Sequence, residues 1–543
     1  MIQEKEKNHE PIIVLAKAVR EIANALLEKR IKDRNSLQSF KLDVSKKYGL
    51  SSIPTNSAIL SHLRELDSGI DASISDLLLK KPSRTLSGVA VVAVMTSPHD
   101  CPHGRCSFCP GGTAKEIPTP QSYTGREPAA MRAAMNEYDP FKQTSNRLKQ
   151  LDEIGHPTDK VDLILMGGTL TARDRKYQDF FVKGCLDALN GTVSRSVGEA
   201  QLLNETSEHR CIGMTFETRP DHFGPDQCGT VLELGGTRVE LGVQSAFDEP
   251  LDFCSRGHGT AESIEATRIA KDSGLKVGYH IMPGLPGSTK EMDIESARMI
   301  FEESGYSPDM IKIYPTLVVG GTELFDLWRR GEYHPLTTDE AAEIVAEIKR
   351  ITPPWVRIQR VQRDIPTPVI EAGVDKSNLR QVAGDLMEQK GWKCRCIRCR
   401  EIGHRQRDGL EDYTSKDFRL MHRIYKASGG VEHFISTENE ESDSLLGFVR
   451  LREPSKESAI HDDEGAFVRE LKVFGRMAPL GERNPGTWQH KGTGRMLLAE
   501  AEETARDKLG KKKILVTSGI GVREYYRNLG YVREGPYMMK RLK

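Results

Sequence analysis

The sequence predicts an α/β protein built around an incomplete β/α barrel, with a second α/β domain after it. Short apolar strands alternate with helical stretches from about residue 85 to 350, a pattern typical of a parallel sheet. A helical stretch precedes them, and another run of strands and helices follows a basic, cysteine-containing segment. These observations divide the chain into four regions, residues 1–80, 81–350, 351–410 and 411–543.

Composition limits the class of protein. The 543 residues suit several domains, and 78 basic residues balance 78 acidic ones; only a local basic patch can therefore indicate a nucleic-acid partner. We find neither a signal-type apolar core nor a membrane-length apolar stretch, so we expect a cytoplasmic protein without membrane contact. Six of the ten cysteines fall into two tight groups, which indicates metal binding rather than disulfides.

Residues 1–80 are predicted to form a small helical module. Apolar residues such as Ile12, Val19, Ile22 and Leu26 recur at helical spacing. The module also carries many lysines and arginines between residues 29 and 47. These charges fit either a nucleic-acid-binding face or an ordinary solvated helix surface, and charge alone leaves both interpretations open.

The barrel prediction depends on six apolar segments. The candidate strands are residues 89–95, 162–166, 213–217, 238–243, 276–281 and 310–314. Six strand–helix units are fewer than the eight of a closed barrel, so we predict an incomplete one. Ligands of such sheets bind at the carboxyl ends of the strands, and the residues that follow each strand are therefore candidate ligand contacts.

A cysteine loop follows the first candidate strand. Cys101, Cys106 and Cys109 have C-x4-C-x2-C spacing, and three thiolates can hold a 4Fe-4S cluster while one iron keeps an open position. With Phe108 before the last cysteine, the loop resembles that of radical S-adenosylmethionine (SAM) enzymes, in which SAM binds the open iron. The alternative is a zinc site with His103 as fourth ligand.

Polar and glycine residues at other strand ends are predicted to bind SAM. Gly167 and Gly168 would let the backbone approach its amino end, and Glu217 and Gln244 could hydrogen-bond its ribose or amino group. Residues 283–287 could shape an adenine pocket. The alternative is that these are ordinary turn residues, but their recurrence at successive strand ends favours a cofactor.

Residues 351–410 are predicted to be a basic, zinc-binding linker. Nine Lys or Arg against three acids lie between residues 376 and 407, with Trp355 and Trp392 available for stacking on bases, which favours RNA contact. Cys394, Cys396, Cys399 and His404 supply four candidate zinc ligands, of which His404 is the least certain. A second iron–sulfur cluster is the alternative.

The last region is predicted to bind acetyl-CoA. We expect a helix at 418–427, strands near 446–451, 466–473 and 513–517, and a helix over 495–507. A glycine-rich run before that last helix presents backbone N–H groups to an anion such as a pyrophosphate; its residues are Gln489, Gly492, Thr493, Gly494 and Arg495. This run, and the aromatic segment 524–531 with Tyr526, resemble the acyl-CoA site of GNAT-type acetyltransferases.

A radical-SAM-like half joined to a GNAT-like half resembles the Elongator catalytic subunit family, which modifies the tRNA wobble uridine (U34). Segments 87–95, 121–125, 165–169 and 535–538 carry this resemblance along with the two motifs. The C-x4-C gap is shorter than in eukaryotic members, which indicates an archaeal or other prokaryotic origin.

The resemblance implies a radical acetyl or carboxymethyl transfer from acetyl-CoA to C5 of uridine, with the anticodon stem-loop bound partly by the N-terminal module. It also implies that Lys160 contacts acetyl-CoA, that Glu470 is a general base, that Tyr526 orients the thioester sulfur, and that Leu471, Lys472 and Val473 belong to the same site. A homodimer or Elongator-like partner subunits are compatible with it.

Two other functions fit parts of the sequence. One is a protein lysine acetyltransferase, of histone type, whose iron–sulfur half is only structural. The other is a non-enzymatic tRNA-binding scaffold with relic cofactor sites. The complete cysteine and Q-x-x-G-x-G motifs argue against relic sites, and the basic segments favour RNA over protein as substrate.

Overall fold

The computed structural model describes residues 10–66, 71–79, 88–407, 417–458, 464–475 and 492–543. The chain divides into two compact units, residues 1–90 with 145–160 and residues 91–144 with 161–543. No helix within the described ranges is long and apolar enough to cross a membrane.

The first unit contains the predicted helical module. Its helices are α1 (Glu10–Leu27), α2 (Arg34–Lys47), α3 (Asn56–Leu66) and α4 (Ala72–Leu78). Ile22 and Leu26 pack with Ile59 and Leu63 in its core, as the helical spacing predicted. The N-cap of α2 is Asp33, whose carboxylate accepts a hydrogen bond from the Ser36 N–H at 2.8 Å, which satisfies one of the free donors at the start of that helix.

The barrel is a seven-stranded curved sheet with the order β1-β2-β3-β4-β5-β6-β8. Its strands are β1 (Ala90–Met95), β2 (Lys160–Met166), β3 (Arg210–Thr218), β4 (Arg238–Gln244), β5 (Lys276–Ile281), β6 (Met310–Ile313) and β8 (Arg357–Val361). The pairs from β3 to β8 are parallel. All six predicted strands are present. The seventh strand, β8, lies in the segment that we expected to interrupt the sheet. It was not predicted because its two arginines interrupt its apolar pattern.

Helices lie between successive barrel strands, as a β/α barrel requires. They are α5 (Pro128–Met135), α6 (Pro140–Glu153), α7 (Arg175–Asn190), α8 (Val197–Asn204), α9 (Pro225–Glu233), α10 (Asp248–Phe253), α11 (Thr260–Asp272), α12 (Lys290–Glu302), α13 (Glu323–Arg329) and α14 (Thr338–Ile351). The linker region adds α15 (Leu379–Gln389), α16 (Ile397–Arg400) and α17 (Ile402–Arg407). A small antiparallel pair, β7 (Val318–Val319) with β9 (Ile370–Ala372), lies outside the barrel sheet.

The C-terminal domain is a second seven-stranded sheet with the order β10-β11-β12-β13-β14-β16-β15. Its elements are β10 (Arg419–Ala427), β11 (Gly430–Asn439), β12 (Ser444–Glu453), β13 (Gly465–Val473), α18 (Thr493–Glu503), β14 (Lys513–Val516), α19 (Arg523–Arg527), β15 (Val532–Glu534) and β16 (Tyr537–Arg541). Only β13 and β14 pair in parallel among its described strand pairs.

Two expectations about this domain are corrected. The predicted helix at 418–427 is the edge strand β10, which pairs along its full length with β11. Its apolar residues Leu420 and Ile424 are spaced like a helix face, yet both are largely exposed, so strand pairing decides the conformation. The helix predicted over 495–507 is α-helical only to Glu503 and ends in a π-helical turn, Thr504–Lys508.

The C-terminal sheet lies across the amino ends of the barrel strands. The Arg469 guanidinium donates to the Leu275 carbonyl at 2.9 Å, just before β5. Arg450 donates to the Trp355 carbonyl at 2.7 Å, just before β8. The candidate ligand-binding residues lie at the carboxyl ends of the barrel strands. The C-terminal sheet therefore covers the end of the barrel opposite to these residues.

Candidate functional site

The cysteine loop lies beyond the carboxyl end of β1 and is held by its neighbours. The Gln121 side chain accepts from the Cys101 N–H at 3.0 Å and donates to the Gly104 carbonyl at 2.6 Å. The Ser107 N–H donates to the Cys254 carbonyl at 3.1 Å, and the Ser107 carbonyl accepts from the Leu324 N–H at 2.9 Å. The loop conformation is therefore fixed by contacts outside the loop.

The thiol of Cys106 is surrounded by donors. The Cys109 thiol hydrogen-bonds to it, and with His103 and Arg256 this lowers the pKa of Cys106 to about 3. His103 Nε2 lies 3.2 Å and Arg256 Nη1 3.6 Å from the sulfur. Burial instead raises the pKa of Cys101. The loop thus favours a thiolate, the form that binds metals.

The residues around the thiols fit an anionic cluster. Arg219 Nε, Arg256 Nε, His103 Nδ1 and both ring nitrogens of His258 are buried without a hydrogen-bond partner among the described residues. The buried guanidinium N–H groups among these atoms need an acceptor, and the sulfides of an iron–sulfur cluster are acceptors. The zinc alternative fits less well, because Arg219 Nη1 lies only 3.1 Å from His103 Nε2 and would repel a cation there.

The sequence analysis missed Arg256 and His258, and it gave no role to Arg219, which follows the candidate Glu217 by two residues. Arginine and histidine are common on surfaces, and nothing in the local pattern distinguishes these three.

The strand-end glycines have the backbone that a close ligand approach needs. Gly167 has φ +111°, and a Cβ there would lie 2.7 Å from Thr96 Oγ1. Gly168 has φ +94° and faces open space. Gln244 has φ +69°, unusual for a residue other than glycine, and its Oε1 is buried without a partner among the described residues. These features fit the predicted SAM contacts.

Glu217 has a partner that the sequence did not reveal. Its carboxylate accepts from Lys312 Nζ at 3.0 Å and from the Tyr123 hydroxyl at 3.3 Å. Lys312 also pairs with Glu240, which lies 3.0 Å from His280 Nε2. We call Glu217, Glu240, His280 and Lys312 the barrel-interior cluster.

The barrel-interior cluster could in principle hold a metal ion, because its two carboxylates and its imidazole converge. Its own lysine already supplies the positive charge between the carboxylates. Burial opposes that charge, but Glu240 and Glu217 outweigh it and raise the pKa of Lys312. The cluster is therefore a set of internal ion pairs.

The second cysteine group forms as predicted, but without its fourth ligand. The Cys394, Cys396 and Cys399 sulfurs lie within 4.8 Å of one another, and hydrogen bonds from Cys394 and Cys399 lower the pKa of Cys396. His404 is not in this group, since its Nε2 lies 2.8 Å from Glu401. Three converging sulfurs fit a zinc ion, and the assignment of His404 is not supported.

Part of the predicted RNA surface is used inside the protein. Arg400 is 1% exposed and pairs with Glu438 and Asp443. Arg395 pairs with the same Asp443 at 3.1 Å. Trp355 stacks on Tyr425, with ring centroids 4.5 Å apart. Arg400 and Trp355 hold the linker against the C-terminal sheet, which corrects their assignment to RNA contact. Arg395 is 54% exposed, so its contact with RNA stays a prediction.

The acyl-CoA candidate site begins at an opening in the second sheet. β13 pairs with β14 only over residues 465–468, so among the described strands the segment with Glu470, Leu471, Lys472 and Val473 pairs with β12 alone. Backbone groups on its other side are therefore available to a ligand. The carboxylate of Glu470 accepts from Arg450 at 3.0 Å; burial opposes its charge, but Arg450 and Lys276 outweigh this and lower its pKa.

The start of α18 fits an anion. Gly492 is its N-cap with φ +91°, and among the described residues no side chain caps the helix. The N–H groups at this helix start have the arrangement that binds a phosphate. Gln489 lies outside the described residues. Lys160 is the first residue of β2, and burial lowers its pKa.

The structure favours a different tyrosine from the one predicted. Tyr526 is 6% exposed and packs in the hydrophobic core of the C-terminal sheet. Tyr525 is 38% exposed, and a Cβ on Gly494 would lie 3.3 Å from its hydroxyl. Consecutive residues of α19 point in different directions, so Tyr525 lies beside the start of α18 while Tyr526 faces the core.

Comparison with known proteins decides the family. Residues 95–300 match the Radical SAM superfamily, residues 308–389 the Radical SAM C-terminal domain, and residues 15–86 the ELP3 N-terminal domain. The tRNA uridine(34) acetyltransferase of Methanocaldococcus jannaschii is 54% identical over 493 residues, 90% of this chain and 90% of that protein. The chain belongs to the Elongator complex protein 3 family.

Other members of the Elongator complex protein 3 family agree. Elongator complex protein 3 of Mus musculus is 40% identical over 557 residues and covers 100% of both chains. The structure of the archaeal Methanocaldococcus infernus Elp3 with an N-terminal deletion superimposes with a TM-score of 0.75 at 48% identity, over 84% of this chain and 100% of that one. The predicted resemblance and fold class are confirmed, and the Radical SAM match implies a 4Fe-4S cluster and SAM.

Proposed function

We propose that this chain is a tRNA uridine(34) acetyltransferase that joins an acetyl-derived group to C5 of the wobble uridine. The observation that carries the proposal is its 54% identity to a relative of that name across 90% of both chains. The relatives do not support the protein lysine acetyltransferase alternative.

Each part of the chain has a role in this reaction. Cys101, Cys106 and Cys109 hold the cluster, and Gly167, Gly168 and Gln244 contact SAM. When bound, this pair of cofactors supplies the radical chemistry. The start of α18 holds the pyrophosphate of acetyl-CoA, and residues 470–473 border its thioester arm. Lys160 contacts acetyl-CoA in this proposal, and Cys394, Cys396 and Cys399 hold a structural zinc ion.

Glu470 is suited to take a proton from water. Its carboxylate is ionised, since Arg450 and Lys276 help to lower its pKa, and it lies on the segment of β13 that extends beyond the pairing with β14. A water molecule that loses a proton to Glu470 could attack the thioester carbonyl, which breaks the C–S bond and leaves a carboxymethyl group on the uridine.

The tRNA-binding surface is proposed to include the N-terminal helical module and the exposed lysines of the linker, such as Lys393. We expect the protein to act in the cytoplasm. A homodimer or Elongator-like partner subunits remain predictions.

The test is mass spectrometry of tRNA nucleosides after anaerobic incubation with reconstituted protein, SAM, a reductant and acetyl-CoA. We expect a 5-substituted uridine at position 34, which disappears when any of Cys101, Cys106 or Cys109 is replaced by Ala. Unmodified tRNA together with acetylation of a histone-type peptide would overturn the proposal in favour of the lysine acetyltransferase.

The acetyl-CoA site has its own prediction. Gly494→Asp should weaken acetyl-CoA binding by at least about tenfold, because a carboxylate would face the pyrophosphate at the start of α18. Isothermal titration measures the affinity. The absorbance of the reconstituted cluster is the control and should not change; unaltered acetyl-CoA affinity would place the pyrophosphate elsewhere.

A further inference from the structure

An arginine near the cysteine loop is stacked on a tyrosine ring. The central carbon of the Arg173 guanidinium group lies 3.6 Å from the centroid of the Tyr177 ring. An edge-on approach would hold the two groups farther apart, so the planar guanidinium group lies face to face with the ring. We call Arg173 and Tyr177 the stacking pair.

The stacking pair is fixed by its neighbours. The Tyr177 hydroxyl accepts a hydrogen bond from the Ser97 N–H at 2.9 Å, and the Tyr177 ring stacks on Phe181 with centroids 5.9 Å apart. The Arg173 carbonyl accepts from the Gln178 side chain at 2.8 Å. A ligand that binds here would therefore order few side chains, which favours affinity.

The stacking pair lies at the carboxyl ends of the first two barrel strands. Ser97 follows β1, and Arg173 follows β2. The hydroxyl of Thr169, in the same loop as Arg173, lies 3.8 Å from the Cys101 sulfur. Ligands of such sheets bind at this end of the strands, so the pair is placed to contact a substrate that reaches the cysteine loop.

The charge of Arg173 has no carboxylate partner among the residues that the structure describes. Within those residues its guanidinium group donates only to Ser97 oxygens, each at 3.4 Å, which is long for a hydrogen bond. The adjacent carboxylate of Asp174 accepts instead from the Tyr177 N–H at 2.9 Å and caps α7. Arg173 therefore retains donors, and the face turned away from Tyr177, for a ligand.

A planar cation of this kind suits a planar base. Guanidinium groups and aromatic rings stack on the unpaired bases of single-stranded RNA, and arginine N–H groups can donate to the oxygen atoms on base edges. A phosphate contact would need only the positive charge, and the stack on Tyr177 would add nothing to it. The geometry therefore favours a base over a phosphate.

We propose that the stacking pair binds one unpaired nucleobase of the tRNA anticodon loop, which lies on the free face of Arg173. The proposal rests on the proposed function for the identity of the RNA. A base held there would fix the loop against the barrel while the wobble uridine is turned out of its stack towards the cysteine loop.

The test removes the base and the guanidinium group separately and together. Filter binding would compare the wild type with Arg173→Lys, in the full chain with the cluster reconstituted, on anticodon stem-loop RNAs that each lack one loop base. Lysine keeps the charge but has no plane to stack. We expect Arg173→Lys to lower the affinity for intact RNA at least about fivefold. We expect one of the abasic RNAs to bind both proteins equally, which identifies the stacked base.

The matched control is Arg175→Lys. Arg175 is 48% exposed and pairs with Asp179 and Glu233, so the same substitution there should change the affinity for every RNA by less than about twofold. Melting temperatures show whether each variant is folded.

Three results would overturn the proposal. One is wild-type affinity of Arg173→Lys for intact RNA. Another is an equal loss of affinity for the intact and all abasic RNAs, which would mean that Arg173 only supports the start of α7. The third is a phosphate contact, in which Arg173→Gln lowers the slope of log affinity against log salt by about 0.7–0.9 while Arg173→Lys binds like the wild type.

The proposal and the proposed function fail separately. Modification of the wobble uridine by a protein in which no abasic RNA distinguishes Arg173→Lys from the wild type would refute the stacking pair alone. Loss of one base that abolishes the effect of Arg173→Lys, in a protein that never modifies tRNA, would uphold the stacking pair and refute the proposed function.

Discussion

At the scale of single residues, the buried carboxyl group of Asp293 has a pKa that its surroundings change. Asp293 is buried below the loop 283–287, where it accepts hydrogen bonds from the Gly284 N–H and the Ser288 hydroxyl, both at 2.7 Å. Burial nevertheless raises its pKa from 3.8 to about 6. The loop predicted to shape the adenine pocket therefore rests on a carboxyl group that titrates in an accessible pH range.

Asp293 should make stability depend on pH. Between pH 3.8 and 6 the folded protein holds a proton that the unfolded chain has released, so the free energy of unfolding falls as pH rises through that window. The loss is at most about 3 kcal/mol. Asp293→Asn lacks this pH-dependent contribution. The difference between the melting temperatures of the variant and the wild type should therefore shift in favour of the variant from pH 4 to pH 7. A difference that stays constant with pH would contradict the assignment.

Tyr525 and Tyr526 are neighbours in the sequence, so the same substitution at each gives a matched comparison. Tyr525→Phe should lower tRNA-dependent acetyl-CoA hydrolysis by about tenfold, because its hydroxyl lies beside the helix start that holds acetyl-CoA in the proposed function. Tyr526→Phe should change it little, because Tyr526 packs in the core. Initial rates measure the effect and melting temperatures control for folding. The reverse order of effects would restore Tyr526 as the functional residue.

At the scale of elements, the linker combines three converging cysteine sulfurs with buried ion pairs. Arg400 at the end of α16 reaches Glu438 on β11 and Asp443 beyond it. Removal of one member of such a pair destabilises the protein, because the remaining charge stays buried without a partner. The linker is thus part of the C-terminal domain's packing.

Arg400→Ala should destabilise the protein by about 3 kcal/mol without changing the salt dependence of tRNA binding. Lys393→Ala, at an exposed position in the same segment, should have little effect on stability but reduce the slope of log affinity against log salt by about 0.7–0.9 if it contacts a phosphate. Denaturant titration and filter binding measure these quantities. A flatter salt slope for Arg400→Ala would return Arg400 to the RNA surface.

The sequence predicted elements well where apolar residues alone define them. The six apolar barrel strands, the cysteine loop and the glycine-rich helix start are all present in the structure. β8 was missed because Arg357 and Arg360 interrupt its apolar pattern. The barrel-interior cluster could not be predicted, because its members lie on four strands and meet only when the sheet curves. Glu240, His280 and Lys312, each within an apolar strand, were the local signals.

At the scale of the whole molecule, buried charges join the barrel to the C-terminal sheet. The carboxylate of Asp309, just before β6, accepts two hydrogen bonds from Arg469 of β13 at 2.6 and 2.7 Å. Lys271 lies 3.3 Å from Asp309 and 3.6 Å from Glu432 of β11. All four side chains are at most 1% exposed, so the two domains share one buried ion network.

Asp309→Ala should destabilise the protein by about 3–5 kcal/mol, because Arg469 and Lys271 would lose a buried partner. We expect calorimetry to resolve separate transitions for the two domains where the wild type shows one. The control is Glu332→Ala, which removes an exposed pair with Arg330 and should cost less than about 1 kcal/mol. A single unshifted transition in Asp309→Ala would show that the network does not couple the domains.

The position of the C-terminal sheet also sets an order of events during synthesis. Arg469 follows Asp309 by 160 residues, which a ribosome needs roughly 8–30 s to translate. Throughout that interval the nascent barrel exposes Asp309 and Lys271 to water, because Glu432 and Arg469 have not yet been made. A ribosome that pauses between these positions therefore carries an open barrel, a form that chaperones and proteases recognise.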